Sequence, residues 1–552
     1  TPPGRGLWMM GTKFVEEKTG AALFNCAMRS TVDLAKKGGY IFAWIMDALM
    51  VGVGVGFDTK GAGTITIKEP ELTNDTLVID DSREGWVNSV HTLLDGYFFG
   101  SKVPKFDYSA IRPYGAKING FGGTSSGADP LIELHKNLKE LFALKVGELI
   151  TSVDIVDIEN LIGRCVVSGN VRRSAALAIG EHDDFRYLEM KNDQEKLYHH
   201  RWGSNNSYVA KVGMDYDWHA EQAQANGEPG TIWLENAKAY GRLKDGVNYD
   251  DAEVVGFNPC VEQSLHNAEM CCLVETFPAK HETYEDYLKT LKCAYLYGKT
   301  VTLVNTHWPE TNAKMLKNRR IGLSQSGIIQ AFNKHGRREM LQWCDNAYSH
   351  IRDLDKEYSN WLCVPRSIKM TSVKPSGTVS LLNGSTPGIH YPEDEYYIRR
   401  IRFSKDSKLL DSIKEAGYTM EDDAYSPNTV CVEFPVKEPY YQKGKRDVSM
   451  WEQLEIAAQY QYYWADNAVS VTVTFKDDEA TQIKNALELY ETRLKAVSFL
   501  RYKETGYKQA PYEPITKKEY EKKMKTITPI QRIETDQAGA GTKYCDGEQC
   551  EL

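Results

Sequence analysis

The segment NPCVEQSLHNAEMCCLVETFP, residues 258–278, sets an amide (Asn258), a thiol (Cys260) and a carboxylate (Glu262) at alternate positions. In an extended loop the side-chain period is two, so these three groups would share one face. Cys271 follows Cys260 by eleven residues, and Cys272 stands beside it. The plainer reading is a loop with a core cysteine, a turn asparagine and a surface glutamate, so the surrounding pattern has to decide.

Outward from this segment the chain alternates strands and helices. Val53, Val55 and Phe57 alternate with Gly52, Gly54 and Gly56, a strand whose glycines admit another group at close range. Asp129-Pro130 opens a helix with Leu131, Leu134, Leu138 and Leu141 on one face. Thr151 and Asp154 form a capping box ahead of Ile155, Ile158 and Leu161, and a strand is expected over 175–179. Val469, Val471, Val473 and Phe475 alternate as a strand. Asp478 then starts a helix expected to carry Ile483, Leu487, Tyr490, Leu494 and Val497 on one face. Such alternation predicts an α/β protein with mostly parallel strands.

Composition narrows the function. The 552 residues carry 67 basic and 76 acidic side chains, a net charge of 67 − 76 = −9. That balance argues against a protein that coats nucleic acid. With 41% hydrophobic residues, 32 Tyr and 11 Trp, the chain can bury a large core and is not a disordered polymer. No run approaches the ~18 apolar residues of a membrane span, and no secretory signal is visible. The first residue is Thr1, so a processed or partial chain is expected. Eleven cysteines are an odd number and too sparse for a disulfide scaffold, which predicts a reducing, cytoplasmic setting. Cys293, Cys344, Cys363 and Cys431 sit among apolar neighbours and read as core residues.

From Glu534 the chain reads ETDQAGAGTKYCDGEQCEL, without apolar periodicity and with a Gly/Ala hinge at 538–541. We expect a catalytic unit over 1–532 and a mobile tail over 533–552 ending in Cys545 and Cys550. The tail pair reads as spare surface cysteines, as half a zinc site lacking further ligands within the tail, or as a dithiol that swings to a target disulfide.

Taken together, the Asn258-x-Cys260-x-Glu262 loop and Cys271 resemble the radical-cysteine loop of ribonucleotide reductases. Further blocks match in order: Phe24-Asn25-Cys26-Ala27, VGVGVGFDTKGAG (51–63), GFGGTSSGADPL (120–131), VVSGNVRRSA (166–175), KPSGTVSLLNGSTPGIHYP (374–392), NAVSVTVTF (467–475) and the tail dithiol. The opening TPPGRGLWMMGT and SREGWVNSV (82–90) resemble the monomeric, adenosylcobalamin-dependent (class II) branch. Members of that family usually carry a region before this opening, which is missing or shortened here.

The resemblance implies a ten-stranded α/β barrel of two antiparallel five-stranded parallel halves, with a central finger loop bearing the radical cysteine. It implies that Cys260 becomes a thiyl radical and abstracts the ribose 3′-hydrogen, with Glu262 as general base and Asn258 orienting the hydroxyls. Cys26 and Cys271 would supply two electrons and close a disulfide, which needs Cα atoms about 4.4–6.8 Å apart. Cys545 and Cys550 would re-reduce it and then be reduced by thioredoxin or a similar dithiol. Pro375, Ser376, Gly377 and Thr378 would bind substrate phosphate, with a following helix N-terminus adding positive dipole. Arg172 and Arg173 would lie near the loop that reads a deoxynucleotide effector, a salt bridge being the alternative. The implied protein is a monomer or weak homodimer acting on ribonucleotides, with triphosphates favoured.

Three radical sources are conceivable. A glycyl radical would need a C-terminal glycyl motif, which the tail lacks. A separate metal subunit, as in a diphosphate-reducing large subunit, would need paired tyrosines where Ser498-Phe499-Leu500-Arg501 stand. The pairs Tyr396-Tyr397, Tyr440-Tyr441 and Tyr462-Tyr463 read as packing or surface. Adenosylcobalamin remains. The nearest approach to a D-x-H-x-x-G cobalt-ligand motif is Asp217-Trp218-His219 with Gln222 in the glycine place, so ligation by a protein histidine is not expected, and no protein metal site is assigned. A nucleotide-binding homologue without turnover and a thiol–disulfide exchange protein are the rival classes. The latter needs neither Asn258 nor Glu262.

Overall fold

The computed structural model describes residues 4–116, 125–168, 175–405, 407–424, 429–502 and 508–530. Its first half lays down five strands side by side: β1 (Cys26–Arg29), β2 (Gly54–Asp58), β3 (Ala176–Glu181), β4 (Ser204–Val209) and β5 (Gly230–Ile232). Every neighbouring pair in this series is parallel. Next comes a short antiparallel hairpin, β6 (Gly256–Phe257) and β7 (Ser264–Leu265). The second half contributes β8 (Glu269–Cys271), β9 (Leu273–Thr276), β10 (Gly322–Gln325), β11 (Thr472–Phe475) and β12 (Ala496–Arg501).

The pairings of the second half run through β9 and β10, then parallel bridges from Leu323 to Thr371 and from Val373 to Val469, and finally β11 and β12. That makes a second set of five parallel staves, counting 371–373 as one. The halves meet antiparallel at both seams, β5 against β12 and β1 against β8. The result is the expected ten-stranded α/β barrel.

Strand alternation sorts the side chains. Cys26, Met28, Leu177, Ile179, Ile232, Cys271 and Leu273 pack together inside. Ala27, Val53, Val55, Phe57, Ala176, Ala178, Cys272 and Val274 join the outer core under the helices. This period-two division follows from burying both faces of a parallel sheet.

The capping box at Thr151 and Asp154 forms as expected at the start of helix Ser152–Val167. The helix Asp129–Ala143 buries Leu131, Leu134, Leu138 and Phe142, while Leu141 is half-buried. The helix expected from Asp478 through Val497 is shorter. A 3₁₀ turn, Ala480–Gln482, leads into Ile483–Tyr490, and Val497 lies in β12 opposite Thr231. The segment Val497-Ser498-Phe499 satisfies its backbone against β5 and β11, and this outweighs its fit to a helical period. A βαβ unit was not anticipated: Glu71–Val78 pairs parallel with Lys102–Asp107 across the helix Arg83–Phe99. Lys517–Met524 is a helix with no buried residue, the solvated face that its mixed charges predict.

Two cysteine expectations fail. Cys344 and Cys431 are buried, but Cys293 and Cys363 are exposed. Cys293 sits on the outer side of helix Tyr284–Val301, whose buried face is Tyr287, Leu291, Ala294 and Tyr295. Cys363 lies just past helix Arg337–Trp361, in a left-handed conformation. Alkylation of the folded protein should therefore modify Cys293 and Cys363 well before Cys26, Cys271, Cys272, Cys344 or Cys431, as read by peptide mass mapping. Among the described residues, no helix is long and apolar enough to cross a membrane.

Candidate active site

The β6–β7 hairpin projects its tip into the barrel. Its arrival requires the glycines of β2. A Cβ on Gly56 would stand 1.9 Å from the Phe257 carbonyl oxygen, and one on Gly54 would stand 3.2 Å from Pro259 Cγ. On the other side, Ala468 N–H donates to the Glu262 carbonyl (3.1 Å), and Gln263 Nε2 donates to the Cys272 carbonyl (3.3 Å). The finger is thus held by both halves of the barrel.

The tip is not extended. Val261 N–H donates to the Asn258 carbonyl (2.9 Å), closing a turn, and Val261 takes φ +60°. For a β-branched residue this is a strained conformation. Asn258 Oδ1 accepts from Gln263 N–H (2.9 Å), and Asn258 N–H donates to the Gln263 carbonyl (3.2 Å). Asn258, Cys260 and Glu262 therefore converge through a side-chain-locked turn, not through the two-residue period of an extended strand.

Cys26 and Cys271 face each other directly across the antiparallel β1–β8 seam. Opposed residues in such a pair have Cα atoms about 4.5–5.5 Å apart, inside the disulfide range. The Cys26 thiol hydrogen-bonds Cys271, which together with burial and the nearby Glu262 holds its pKa well above the ordinary thiol value. Burial likewise raises Cys271, with Cys26 opposing. Cys260 is raised by burial, then by Glu262 and Cys26. Burial raises Glu262 too, against the Asn258 amide and Lys374. These mutual influences place the three sulfurs, the amide and the acid in one site. Among the described residues, neither Glu262 carboxylate oxygen nor Asn258 Nδ2 has a hydrogen-bond partner of normal geometry, although all are buried. Such atoms cost about 1–3 kcal/mol each and mark a place shaped for a polar ligand.

Cys272, one residue on, points the other way: its thiol donates to the Gly298 carbonyl (3.4 Å) outside the barrel. Cys260 alone of this constellation lines a cavity of about 470 Å³. The cavity walls include Leu177, Asn206, Thr231, Pro375, Ser498 and Phe499. Among the described residues, no tyrosine or histidine lines it. His219 is instead buried, its Nε2–H donating to the His182 carbonyl (3.0 Å), and packs on Tyr208.

Pro375, Ser376, Gly377 and Thr378 follow the stave at 371–373. Gly377 and Thr378 are exposed, and Ser376 is buried with φ +48°. The element after them is only a 3₁₀ turn, Val379–Asn383, not the helix expected. The Ser376 hydroxyl is engaged by the carboxylate of Glu275. Glu275 and Lys374 carry no motif signal of their own, although they lie within 258–278 and 374–392. A two-residue inward count from Cys271 through Leu273 would have brought Glu275 to the lumen. Arg172, Arg173, Cys545 and Cys550 lie outside the described residues.

Comparison with known proteins settles the lineage. Residues 62–142, which include the βαβ unit, match the family model for the insertion domain of B12-dependent ribonucleotide reductase. The adenosylcobalamin-dependent ribonucleoside-triphosphate reductase of Euglena gracilis is 47% identical over 563 residues, spanning 100% of this chain and 77% of that protein. The chain belongs to the class II ribonucleotide reductases. The enzyme of the same name from Lactobacillus leichmannii is 38% identical over 618 residues, covering 96% of this chain and 83% of its own length. A crystal structure of a B12-dependent class II ribonucleotide reductase superposes with a TM-score of 0.87 at 34% identity, covering 96% of this chain and 85% of that one. In this class II reductase the barrel and its finger are therefore family features, and the βαβ unit at 62–142 is the family's insertion.

Proposed function

We propose that this chain reduces ribonucleoside triphosphates to 2′-deoxyribonucleoside triphosphates, with adenosylcobalamin as radical source and a dithiol as reductant. The observation that carries this reading is the direct opposition of Cys26 and Cys271 beside Cys260 and Glu262. A thiyl at Cys260 would take the 3′-hydrogen, and Glu262 would accept the 3′-hydroxyl proton. The 2′-hydroxyl would leave as water, taking a proton from Cys26. Cys271 would then give a hydrogen atom to C2′, the two sulfurs would join as a disulfide and pass the remaining electron to the 3′-carbonyl as Glu262 returns its proton to the 3′-oxygen, and Cys260 would return its hydrogen to C3′. Asn258 and the unpartnered Glu262 oxygens supply hydrogen-bonding capacity for the ribose hydroxyls.

The raised thiol pKa values support hydrogen-atom chemistry. Thiol–disulfide exchange runs through thiolates, which this site suppresses, whereas hydrogen-atom transfer needs the S–H bond. The cavity fits the adenosyl group: it is open to Cys260, and its polar walls at Asn206, Thr231 and Ser498 suit nucleoside hydroxyls while Phe499 and Leu177 are apolar. When bound, adenosylcobalamin supplies the initiating radical by homolysis of its cobalt–carbon bond. Ser498 and Phe499 stand where a tyrosine relay from a separate subunit would have to end.

In this reading residues 1–532 are catalytic, the insertion included, and 533–552 form the redox tail whose Cys545 and Cys550 reopen the Cys26–Cys271 disulfide. Thioredoxin or a like dithiol reduces the tail. Arg172 and Arg173 serve a deoxynucleotide effector, and the enzyme works in the cytoplasm as a monomer or weak homodimer.

Anaerobic turnover of each ribonucleoside triphosphate, with and without adenosylcobalamin, tests the reading; product that requires an added metal subunit instead would overturn the cofactor assignment. Glu262→Gln should lower kcat by about 10²–10⁴-fold, the usual worth of a general base. Because burial raises the Glu262 pKa, wild-type kcat should climb with pH through a midpoint above the ordinary carboxylate range. That rising limb should vanish in the variant. A thiol-exchange protein would be indifferent to the change.

A further inference from the structure

Glu275 lies in β9, two residues beyond Leu273 on the inward face, and is 1% exposed. A buried carboxylate needs partners, and Glu275 is served by the serines Ser376, Ser326 and Ser324 and by the charge of Lys374. Ser324 Oγ donates to Oε1 (3.1 Å), and Ser376 Oγ donates to Oε2. The same Ser324 hydroxyl oxygen accepts the backbone N–H of Lys374 (2.8 Å). One carboxylate therefore holds the loop 374–376 at both ends. Ser376 is kept at φ +48°, in the left-handed region that few side chains adopt. Beyond this clamp Gly377 and Thr378 stand exposed, and before it Pro375 reaches the cavity at Cys260. A negative charge next to a phosphate loop is electrostatically unfavourable unless it holds something in place. Lys374, whose charge opposes those of Glu262 and Glu275, supplies compensation.

Resting on the reading of 375–378 as the substrate-phosphate loop, we propose that Glu275 is its positioning residue, clamping Ser376 directly and Lys374 through Ser324 so that Gly377 and Thr378 are presented to the substrate phosphates. The role is separate from the chemistry at Cys260. It predicts a loss of binding and not of the reaction itself.

The test is Glu275→Ala, Ser376→Ala and the double variant in the full chain. Each single change should raise KM for the ribonucleoside triphosphate by about tenfold or more while kcat falls less than about threefold, as when a charge-assisted hydrogen bond serving ground-state and transition-state binding alike is removed. The double variant should be no worse than the worse single, because both remove one clamp. Equilibrium binding without cofactor should show the loss for the triphosphate and none for the unphosphorylated ribonucleoside. An unchanged KM, a fall in kcat alone, additive effects, or an equal loss for the unphosphorylated nucleoside would each overturn the proposal. Should Glu275→Ala fail to fold, Ser324→Ala takes its place with the same expectations. A wild-type chain that turns over no ribonucleotide would overturn the proposed function, while the binding difference would still decide the role of Glu275.

Discussion

A Cys260→Ser variant is expected to lose all detectable ribonucleotide reduction while keeping its fold and its capacity to close the Cys26–Cys271 disulfide. The substitution removes a single sulfur from a half-exposed tip that makes its structural hydrogen bonds through Asn258, Val261, Glu262 and Gln263. Among the described residues, no pairing of the β1–β8 seam runs through Cys260. What disappears is the only thiol of the constellation that reaches the cavity. A hydroxyl cannot replace it, because an alcohol O–H bond is too strong to form a radical reversibly against a ribose C–H bond. Turnover assayed anaerobically with adenosylcobalamin measures the loss. Disulfide formation with a mild oxidant, followed by mapping of the Cys26 and Cys271 peptides, measures what is retained. A variant that still made deoxynucleotide would remove Cys260 from the centre of the mechanism. One that could no longer oxidise Cys26 with Cys271 would show that the finger holds the seam together, contrary to the hydrogen bonds seen.

Much of this site is written in local pattern, and the rest is written in pairings that no local pattern carries. Glycines at 54 and 56, in alternation with Val55 and Phe57, announce a strand that another segment approaches, and the finger is that segment. The N-x-C-x-E spacing names the groups that converge, but the extended-loop reading gives the wrong cause, because the turn at Asn258 and the left-handed Val261 arise from contacts with Gln263 and Ala468. Cys26 and Cys271 are 245 residues apart in sequence, and their opposition exists only once β1 and β8 form a seam. Val497 reads as helical because its apolar spacing fits either period, and only the pairing with β5 decides for the strand. Cys293 and Cys363 read as core residues from their apolar neighbours, but such neighbours fix neither which side of a helix faces the core nor whether a residue past a helix end is covered. Glu275 escaped notice because a lone glutamate in an apolar strand acquires meaning only from Ser324 and Ser376, 49 and 101 residues away.

The second large effect is expected at Gly56. Gly56→Ala places a methyl group 1.9 Å from the Phe257 carbonyl oxygen and 3.0 Å from its carbon. Both are backbone atoms at the root of the finger, so no side-chain rotation relieves the clash, and either β2 or the hairpin has to move. Overpacking of this kind costs about 1–3 kcal/mol and sometimes more. The catalytic loss should be larger than the stability loss. Moving the finger displaces Cys260 and Glu262 relative to Cys26 and Cys271, and misplacement by about 1 Å can cost 10²-fold in rate. Turnover should therefore fall by about 10²-fold or more in protein that still melts cooperatively. Gly54→Ala provides the graded control: its nearest neighbours are the Ala175 carbonyl oxygen at 3.0 Å and Pro259 Cγ at 3.2 Å, contacts that a few tenths of an ångström would relieve. Its loss should be distinctly smaller. Equal losses in the two variants would mean that the finger does not rest on Gly56, and a Gly56→Ala enzyme with full turnover would show that Cys260 need not be held where the barrel holds it.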